Sequence, residues 1–351
     1  MITTILFFLV LSILVFIHEL GHFLVAKLFN IRVDEFAIGF PPKVYSKTYG
    51  ETTYAINALP LGGYVKIHGE NPEEDGGDTG DMRSFQNVSW WKQVCVLVAG
   101  VTFNVIFAWL LISLTFMIGT SKVSTQGVPS EYIHGTQSVI IESVIPKSPA
   151  EAVGLQAGQT IESIQGVIVT SATSVQHLIQ EATSSIVLVA KKSGIEQTYT
   201  IVPSQKAIGI SLAEVATVRM PFFASCVYGA QATYNLILQI GGGVIRFFGN
   251  LFVGQASWGE VSGPVGIAKV VGGAGREGFV SLLFVSALIS ISLAIMNILP
   301  FPALDGGRVV IALTEGIIRK RLNTSFVNSL NTIGFFLLIT LMIVVTCKDI
   351  F

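Results

Sequence analysis

Charge is scarce in this 351-residue chain: Asp, Glu, Lys and Arg make up only 12% of it, where a soluble domain carries roughly 25%. Together with a hydrophobic content of 51%, that shortage excludes an ordinary soluble protein and places the chain in the membrane class. The net charge is −1, so there is no global basic field and no nucleic-acid partner is expected. Cysteine is nearly absent. Cys95, Cys226 and Cys347 stand far apart, which excludes a disulfide framework and a cysteine-based zinc site; they read as ordinary apolar residues. No internal repeat is found, so a repeat architecture is excluded too. Lys and Arg are missing ahead of Lys27. A cleaved signal peptide would open on a basic stretch and end at a small-residue cleavage site, so the apolar start is read as a retained span.

What the chain has is long apolar runs. Residues 2–29, ITTILFFLVLSILVFIHELGHFLVAKLF, exceed the ~20 residues needed to cross a bilayer. The basic residues follow this run, at Lys27, Arg32, Lys43 and Lys47. By the positive-inside rule the N-terminus is then outside and residues 30–91 are cytoplasmic. Within that loop TTYAINALPLGGYVKI (52–67) alternates, turns at residues 60–63 and alternates again, the pattern of a β-hairpin. NPEEDGGDTGD (71–81) has the composition of a flexible loop. Trp90, Trp91 and Lys92 form an interfacial anchor ahead of a second span, assigned to 92–119. Residues 120–212 change character, with short β-type runs at 138–145, 160–169, 185–192 and 196–202 around a helical stretch at 174–182. They are read as a small extracytoplasmic domain with its linker. An amphipathic helix and loop (213–277), a third span ending in a polar turn (278–308), a cytoplasmic segment (309–324) and a fourth span (325–347) complete the expected order. The fold class is therefore a polytopic α-helical membrane protein with four spans and an inserted α+β domain.

The chemistry concentrates in the first span. FIHELGH (16–22) places His18, Glu19 and His22 among apolar residues. Histidines four apart share a helix face and can reach one metal ion, with Glu19 beside it. This is the H-E-x-x-H arrangement of two zinc ligands and a general base. A polar patch for helix packing is the bland alternative, but ionisable groups inside a bilayer are costly and functional by default. A catalytic zinc needs a third protein ligand. His68 lies in the cytoplasmic loop, His134 and His177 belong to the outer domain, and Glu315 and Asp349 are poorly placed. Asp305, in NILPFPALDGG (297–307), ends an apolar run. Pro300 and Pro302 break the helix there and Gly306 and Gly307 permit close packing. Alone, Asp305 also reads as an interfacial turn residue; paired with the histidine motif it reads as a ligand. This decides the topology. If 222–254 crossed the bilayer, Asp305 would emerge opposite the histidines. Arg246 and the string YGAQATYN (228–235) also argue for a surface helix there. That leaves both termini outside and RKR (319–321) inside.

With these motifs assembled, the chain resembles the bacterial site-2 proteases, intramembrane zinc metalloproteases of the type that cleaves membrane-bound anti-sigma factors. HELGH (18–22) matches their zinc motif and NILPFPALDGG their second motif, with Asp305 as third ligand and Asn297 as a residue that contacts substrate or stabilises the oxyanion. AGVTFN (99–104) resembles their Gly-x-x-x-Asn element, here Gly100 and Asn104, and SGPVGIA (262–268) a further family stretch. SPAEAVGLQAGQTIESIQG (148–166) resembles a circularly permuted PDZ domain, with Gln159 where relatives often have Asp. AIGIS (207–211) falls at its peptide-binding position, which makes Ile208, Gly209 and Ile210 candidate substrate contacts. The resemblance implies Zn2+ as cofactor, a bacterial inner membrane and single-span membrane-protein substrates, either anti-sigma factors or signal-peptide remnants. Gly62, Gly63 and Tyr64 of the hairpin are candidates for pairing with an unwound substrate strand. Asn104 is read as a substrate contact or a helix-packing residue. A non-enzymatic scaffold and a metal transporter are the rival classes. The first would close its zinc with four protein ligands; the second would spread polar residues along several helices.

Overall fold

The computed structural model describes residues 2–70, 80–124, 128–182, 184–192, 195–204, 207–254 and 262–350. The flexible-loop reading of 71–81 therefore lies almost wholly outside the described residues. The chain divides into two compact units, one made of residues 1–114 and 226–351 and the other of residues 115–225.

The first unit runs α1 (Ile2–Leu28), β1 (Val33–Tyr49), β2 (Thr52–Ile67) and α2 (Trp90–Ile118). The second adds β3 (Thr120–Ser124), β4 (Ile133–Val144), α3 (Pro149–Ala152), β5 (Thr160–Ile164), β6 (Val167–Ile168), α4 (Ala172–Glu181), β7 (Ile186–Lys192), β8 (Ile195–Ile201) and β9 (Ile210–Val218). The chain returns to the first unit along α5 (Phe222–Phe252) and continues through α6 (Pro264–Glu277), α7 (Phe279–Ile298), α8 (Asp305–Ile318) and α9 (Thr324–Ile350). Among the described residues four helices, α1, α2, α7 and α9, are long and apolar enough to cross a membrane. In lipid a helix satisfies every backbone group within itself, which is why such uninterrupted apolar runs fold this way. α5 has 31 residues yet is not among the four.

Two apolar clusters hold the first unit. Val10 and Leu14 of α1 pack with Val271 of α6 and with Leu282, Val285 and Ile289 of α7. Ala26, Val33 and Ile67 pack with Val96 and Leu97 of α2 and Ala312 of α8. α6 is tied to α9 by one carboxylate: the Gly263 and Gly266 backbone N–H groups both donate to Asp349 Oδ2, at 2.8 Å each. That side chain serves as the N-terminal cap that α6 lacks in its own sequence.

The expected hairpin is rearranged. β1 and β2 join through a tight turn at Gly50 and Glu51, so the turn at residues 60–63 is not the hairpin's end. Residues 35–38 pair on both edges, with 53–56 on one side and 63–66 on the other. The two arms of 52–67 are thus separated by a strand of β1. Pro41 and Pro42 have no N–H to give to a ladder, and the register shifts between Phe40 and Lys43, where the chain folds back. Alternation within 52–67 revealed its strands but carried no record of this third partner.

The second unit is built on a sheet of order β3-β9-β4-β5-β7-β8, with β6 paired to β5. Ile186, Leu188 and Ala190 of β7 alternate inward and meet Ile161 and Ile164 of β5 and Val175 and Ile179 of α4. The runs expected at 138–145, 160–169, 185–192 and 196–202 correspond to β4, β5 with β6, β7 and β8. The sheet extends past the expected limit of 212, because β9 reaches Val218 and pairs with both β3 and β4. Its sequence ISLAEVATV mixes strand formers with Leu, Ala and Glu, and it pairs on both sides. Gln159 is buried; its Oε1 accepts from Gln156 N–H at 2.9 Å and its Nε2 donates to Tyr199 Oη at 2.7 Å. The glutamine keeps the turn contact.

Candidate metal centre

Helical spacing puts His18 and His22 on one face of α1, their rings edge to face with centroids 4.8 Å apart and their Nε2 atoms 3.2 Å apart. Both are buried. Asp305 reaches them from the first residue of α8. Its Oδ2 lies 2.9 Å from His18 Nε2 and 3.4 Å from His22 Nε2. The break after α7 makes this approach possible. A Cβ at Gly306 would lie 2.2 Å from the Leu299 carbonyl oxygen, and one at Gly307 2.3 Å from that of Phe301; only glycine lets α8 start so close under the end of α7. One ligand atom from each of the three residues lies within 4.8 Å of the others. Asp305 Oδ2 is nonetheless a buried oxygen with no properly directed hydrogen-bond donor. Three lone pairs aimed at one point, on a carboxylate and two imidazoles, are the donor set of a divalent cation such as zinc.

Glycines also bring α2 to the site. A Cβ at Gly21 would lie 2.6 Å from the Ala99 carbonyl oxygen, and one at Gly100 2.4 Å from His22 Nε2. The helices cross in backbone contact, as small residues allow. His22 Nδ1 donates to the Val96 carbonyl at 2.8 Å. His18 Nδ1 lies 3.2 Å from the Asn104 side-chain amide. The Asn104 side chain has no exposed surface.

Glu19 sits one position round from the histidines and outside the three-residue cluster. The Val65 backbone N–H of β2 donates to its Oε2 at 3.1 Å. β2 is laid along α1 by further contacts: Ser12 Oγ donates to the Pro60 carbonyl at 2.5 Å, and a Cβ at Gly62 would lie 2.9 Å from Val15 Cγ1. Gly63 faces the Ala37 carbonyl, and Tyr64 donates its hydroxyl to Glu35 at 2.8 Å. Burial, and then that carboxylate, push the Tyr64 phenol above its ordinary range. Asn297, half-buried near the end of α7, has Nδ2 3.5 Å from His18 Nε2.

In the other unit Ile208 is a core residue, 1% exposed, so its side chain is not available to a peptide. Its carbonyl accepts from Ala150 N–H, and that of Gly209 from Ile145 N–H. Ile210 pairs with Val144 at the start of β9. Sequence reasoning missed the Val65 amide and the Val96 carbonyl beside the histidines and Glu19. Both are main-chain groups, identical at every residue, and leave no signal of type or spacing.

The sequence profile of Peptidase family M50 matches residues 6–341. A Clostridium acetobutylicum protein is 35% identical over 344 residues, covering 97% of this chain and 94% of its own. A Clostridium perfringens protein is 35% identical over 346 residues, covering 97% and 96%. A Campylobacter jejuni protein is 29% identical over 357 residues, covering 97% and 91%. Each of the three bears the name "putative zinc metalloprotease". A match over nearly the whole length, joined to four membrane-length helices, means that this chain belongs to peptidase family M50, the zinc-dependent site-2 proteases, and is a multi-pass membrane metalloprotease.

Proposed function

We propose that the chain is an intramembrane endopeptidase that cuts the transmembrane segments of single-span membrane proteins, of the anti-sigma-factor or signal-peptide-remnant type, in the bacterial inner membrane. The observation that carries this reading is the convergence of His18, His22 and Asp305 beside a carboxylate outside that set, Glu19. The three would hold the metal, and a cluster of three among the described residues leaves a coordination position for water or substrate. Bound zinc supplies a Lewis acid for the scissile carbonyl and an acidified water. Glu19 would serve as the general base towards the attacking water and then as the proton donor to the leaving amine, while Val65 N–H fixes the orientation of the carboxylate. Asn297 donates its amide to the carbonyl oxygen as charge develops there.

A helical substrate hides its peptide bonds and must unwind. Residues 63–66 pair with 35–38 along one edge, and the other edge is the place where an extended segment would add as a strand, close to Glu19. We read the chain as crossing the bilayer four times with both termini and the inserted unit outside and α5 along the outer surface. The inserted unit is read as a circularly permuted PDZ domain. Its β9 and α4 are joined by the Ala172 N–H, which donates to Glu214 at 2.7 Å. This domain would sort substrates by the bulk of their outer portion.

Glu19→Gln tests the core of the proposal. It leaves the ligand set intact and keeps an oxygen acceptor for Val65 N–H. The variant should hold zinc as the wild type does and lose cleavage of a single-span substrate by about 10²-fold or more. An active variant with full zinc would remove Glu19 from the reaction.

A further inference from the structure

Two imidazoles that give their Nε2 lone pairs to one cation must each carry the ring proton on Nδ1, and each then needs an acceptor there. His22 has one of fixed sense: a main-chain carbonyl, Val96 O, 2.8 Å from its Nδ1. His18 faces a group that could serve either way, the side-chain amide of Asn104, 3.2 Å from its Nδ1. We propose that Asn104 is the positioning residue of His18. Its amide oxygen accepts the Nδ1 proton, fixes the tautomer and ring plane, and so directs Nε2 to the metal.

Four observations carry this. Asn104 is 0% exposed, so its amide can turn only to protein neighbours. Its Oδ1 is one of three buried side-chain atoms among the described residues that lack a hydrogen-bond partner. A second of those three is Asp305 Oδ2, on the other side of the same imidazole. The amide's oxygen and nitrogen exchange places in a half-turn, and that half-turn seats the orphaned oxygen on His18 Nδ1. The main chain of Asn104 is also held in place, since Ser290 Oγ of α7 donates to its carbonyl at 2.8 Å. Finally, Val96, Gly100 and Asn104 are spaced by four and form one stripe of α2. The first supplies an acceptor for His22, the second makes room for both rings, and the third supplies the acceptor for His18. A glycine and an asparagine four residues apart are thus one device, a gap and a hand-hold for the imidazoles.

The inference rests on His18, His22 and Asp305 being the ligands, and the test separates the two. The full chain is purified in detergent as wild type, Asn104→Leu, Asn104→Asp and Asp305→Ala. Zinc affinity is measured by chelator competition, the Co2+-substituted proteins are compared by absorption spectrum, and thermal unfolding is followed without metal. Leucine has the right size and no acceptor. It should lower zinc affinity about 10- to 100-fold and alter the cobalt spectrum, with metal-free stability held. Aspartate keeps an acceptor for Nδ1–H, so its zinc affinity should stay well above that of the leucine variant. A role in helix packing alone predicts the reverse order, because a buried carboxylate harms packing and leucine does not. Wild-type zinc affinity in Asn104→Leu overturns the inference, and that variant decides it alone should the aspartate chain not be recovered. Full zinc in Asp305→Ala overturns the ligand reading instead.

Discussion

Replacing Gly100 by alanine should damage the metal centre without touching a ligand. The new methyl would stand 2.4 Å from His22 Nε2, 2.7 Å from His18 Cε1 and 2.9 Å from His18 Nδ1. Non-bonded heavy atoms settle near ~3.5 Å, so about 1 Å of separation is missing. Retreat of α2 would open the contact in which Gly21 meets the Ala99 carbonyl and the Val96 and Leu97 packing behind it. The imidazoles, free to rotate about χ1 and χ2, give way first. Ligand distances tolerate only about ±0.2 Å, so the displaced rings no longer meet one ion together. Overpacking of this kind costs about 1–3 kcal/mol. Charged to the zinc-bound state, that is a loss of about 5- to 150-fold in affinity. The assay is chelator competition on purified protein beside metal-free thermal unfolding. Gly273→Ala serves as control, because a Cβ there meets nothing within 4 Å. Gly100→Ala should lose zinc affinity and Gly273→Ala should not. Wild-type affinity in Gly100→Ala would refute the close approach of α2 on which this reasoning stands.

Three further outcomes follow from other parts of the molecule. Asp349→Ala removes the acceptor shared by Gly263 and Gly266 and should cost about 1–3 kcal/mol, seen as a lower unfolding temperature with unchanged zinc affinity; an unchanged unfolding temperature would contradict the cap. Arg83, and then Lys27, lower the Glu51 carboxyl from 4.5 to about 2, so its stabilising effect is present above pH 4.5 and is lost as pH falls from there towards 2. Glu51→Gln should therefore be less stable than wild type at pH 7 by under about 1 kcal/mol, this being a partly exposed pair, and the difference should vanish on acidification; a difference that grows in acid has the wrong sign. Met220 N–H donates to the Phe116 carbonyl at 2.9 Å, so the ends of the inserted unit adjoin and residues 119–218 can be replaced by a short Gly-Ser linker. The shortened enzyme should retain zinc and gain cleavage of substrates with bulky outer portions, and an unchanged preference for trimmed substrates would dispose of the size filter.

Much of this arrangement could be read from residue types. His18 and His22 announce themselves because ionisable groups are rare in an apolar run and because a spacing of four fixes a shared face. Asp305 was legible through its neighbours, the prolines that end α7 and the glycines that admit α8. Strands of the second unit were legible as short runs rich in β-branched residues, at β4, β5, β7 and β8. β9 was not, since its strand state depends on partners on both sides, and pairing across a sheet is not written in the strand itself. The same is true of residues 35–38, whose place between the two arms of 52–67 is a tertiary fact. For Asn104 the sequence offered two uses, substrate contact or helix packing, and carried no sign of its burial or of its distance to His18 Nδ1.

The support of this centre is largely main chain. Glu19 is held by the Val65 amide and His22 by the Val96 carbonyl; Asp305 arrives where α8 folds back under the carbonyls of residues 298, 299 and 301. Backbone can serve a side chain only by coming within about 3 Å of it, and where two elements pack that closely a Cβ pointing between them has no room. Glycines stand where the elements around the site pack closest: Gly100 under the imidazoles, Gly21 against α2, Gly62 where β2 lies on α1, Gly306 and Gly307 below Asp305. A buried polar site in a chain so poor in charge has few side chains with which to orient its ligands, and main-chain groups fill that need at no cost in further buried polarity. It follows that the sequence records the second layer of the site as missing side chains. Substitutions at these glycines should then rank with substitutions at the ligands themselves in their effect on metal binding, ahead of changes at the larger apolar residues around them.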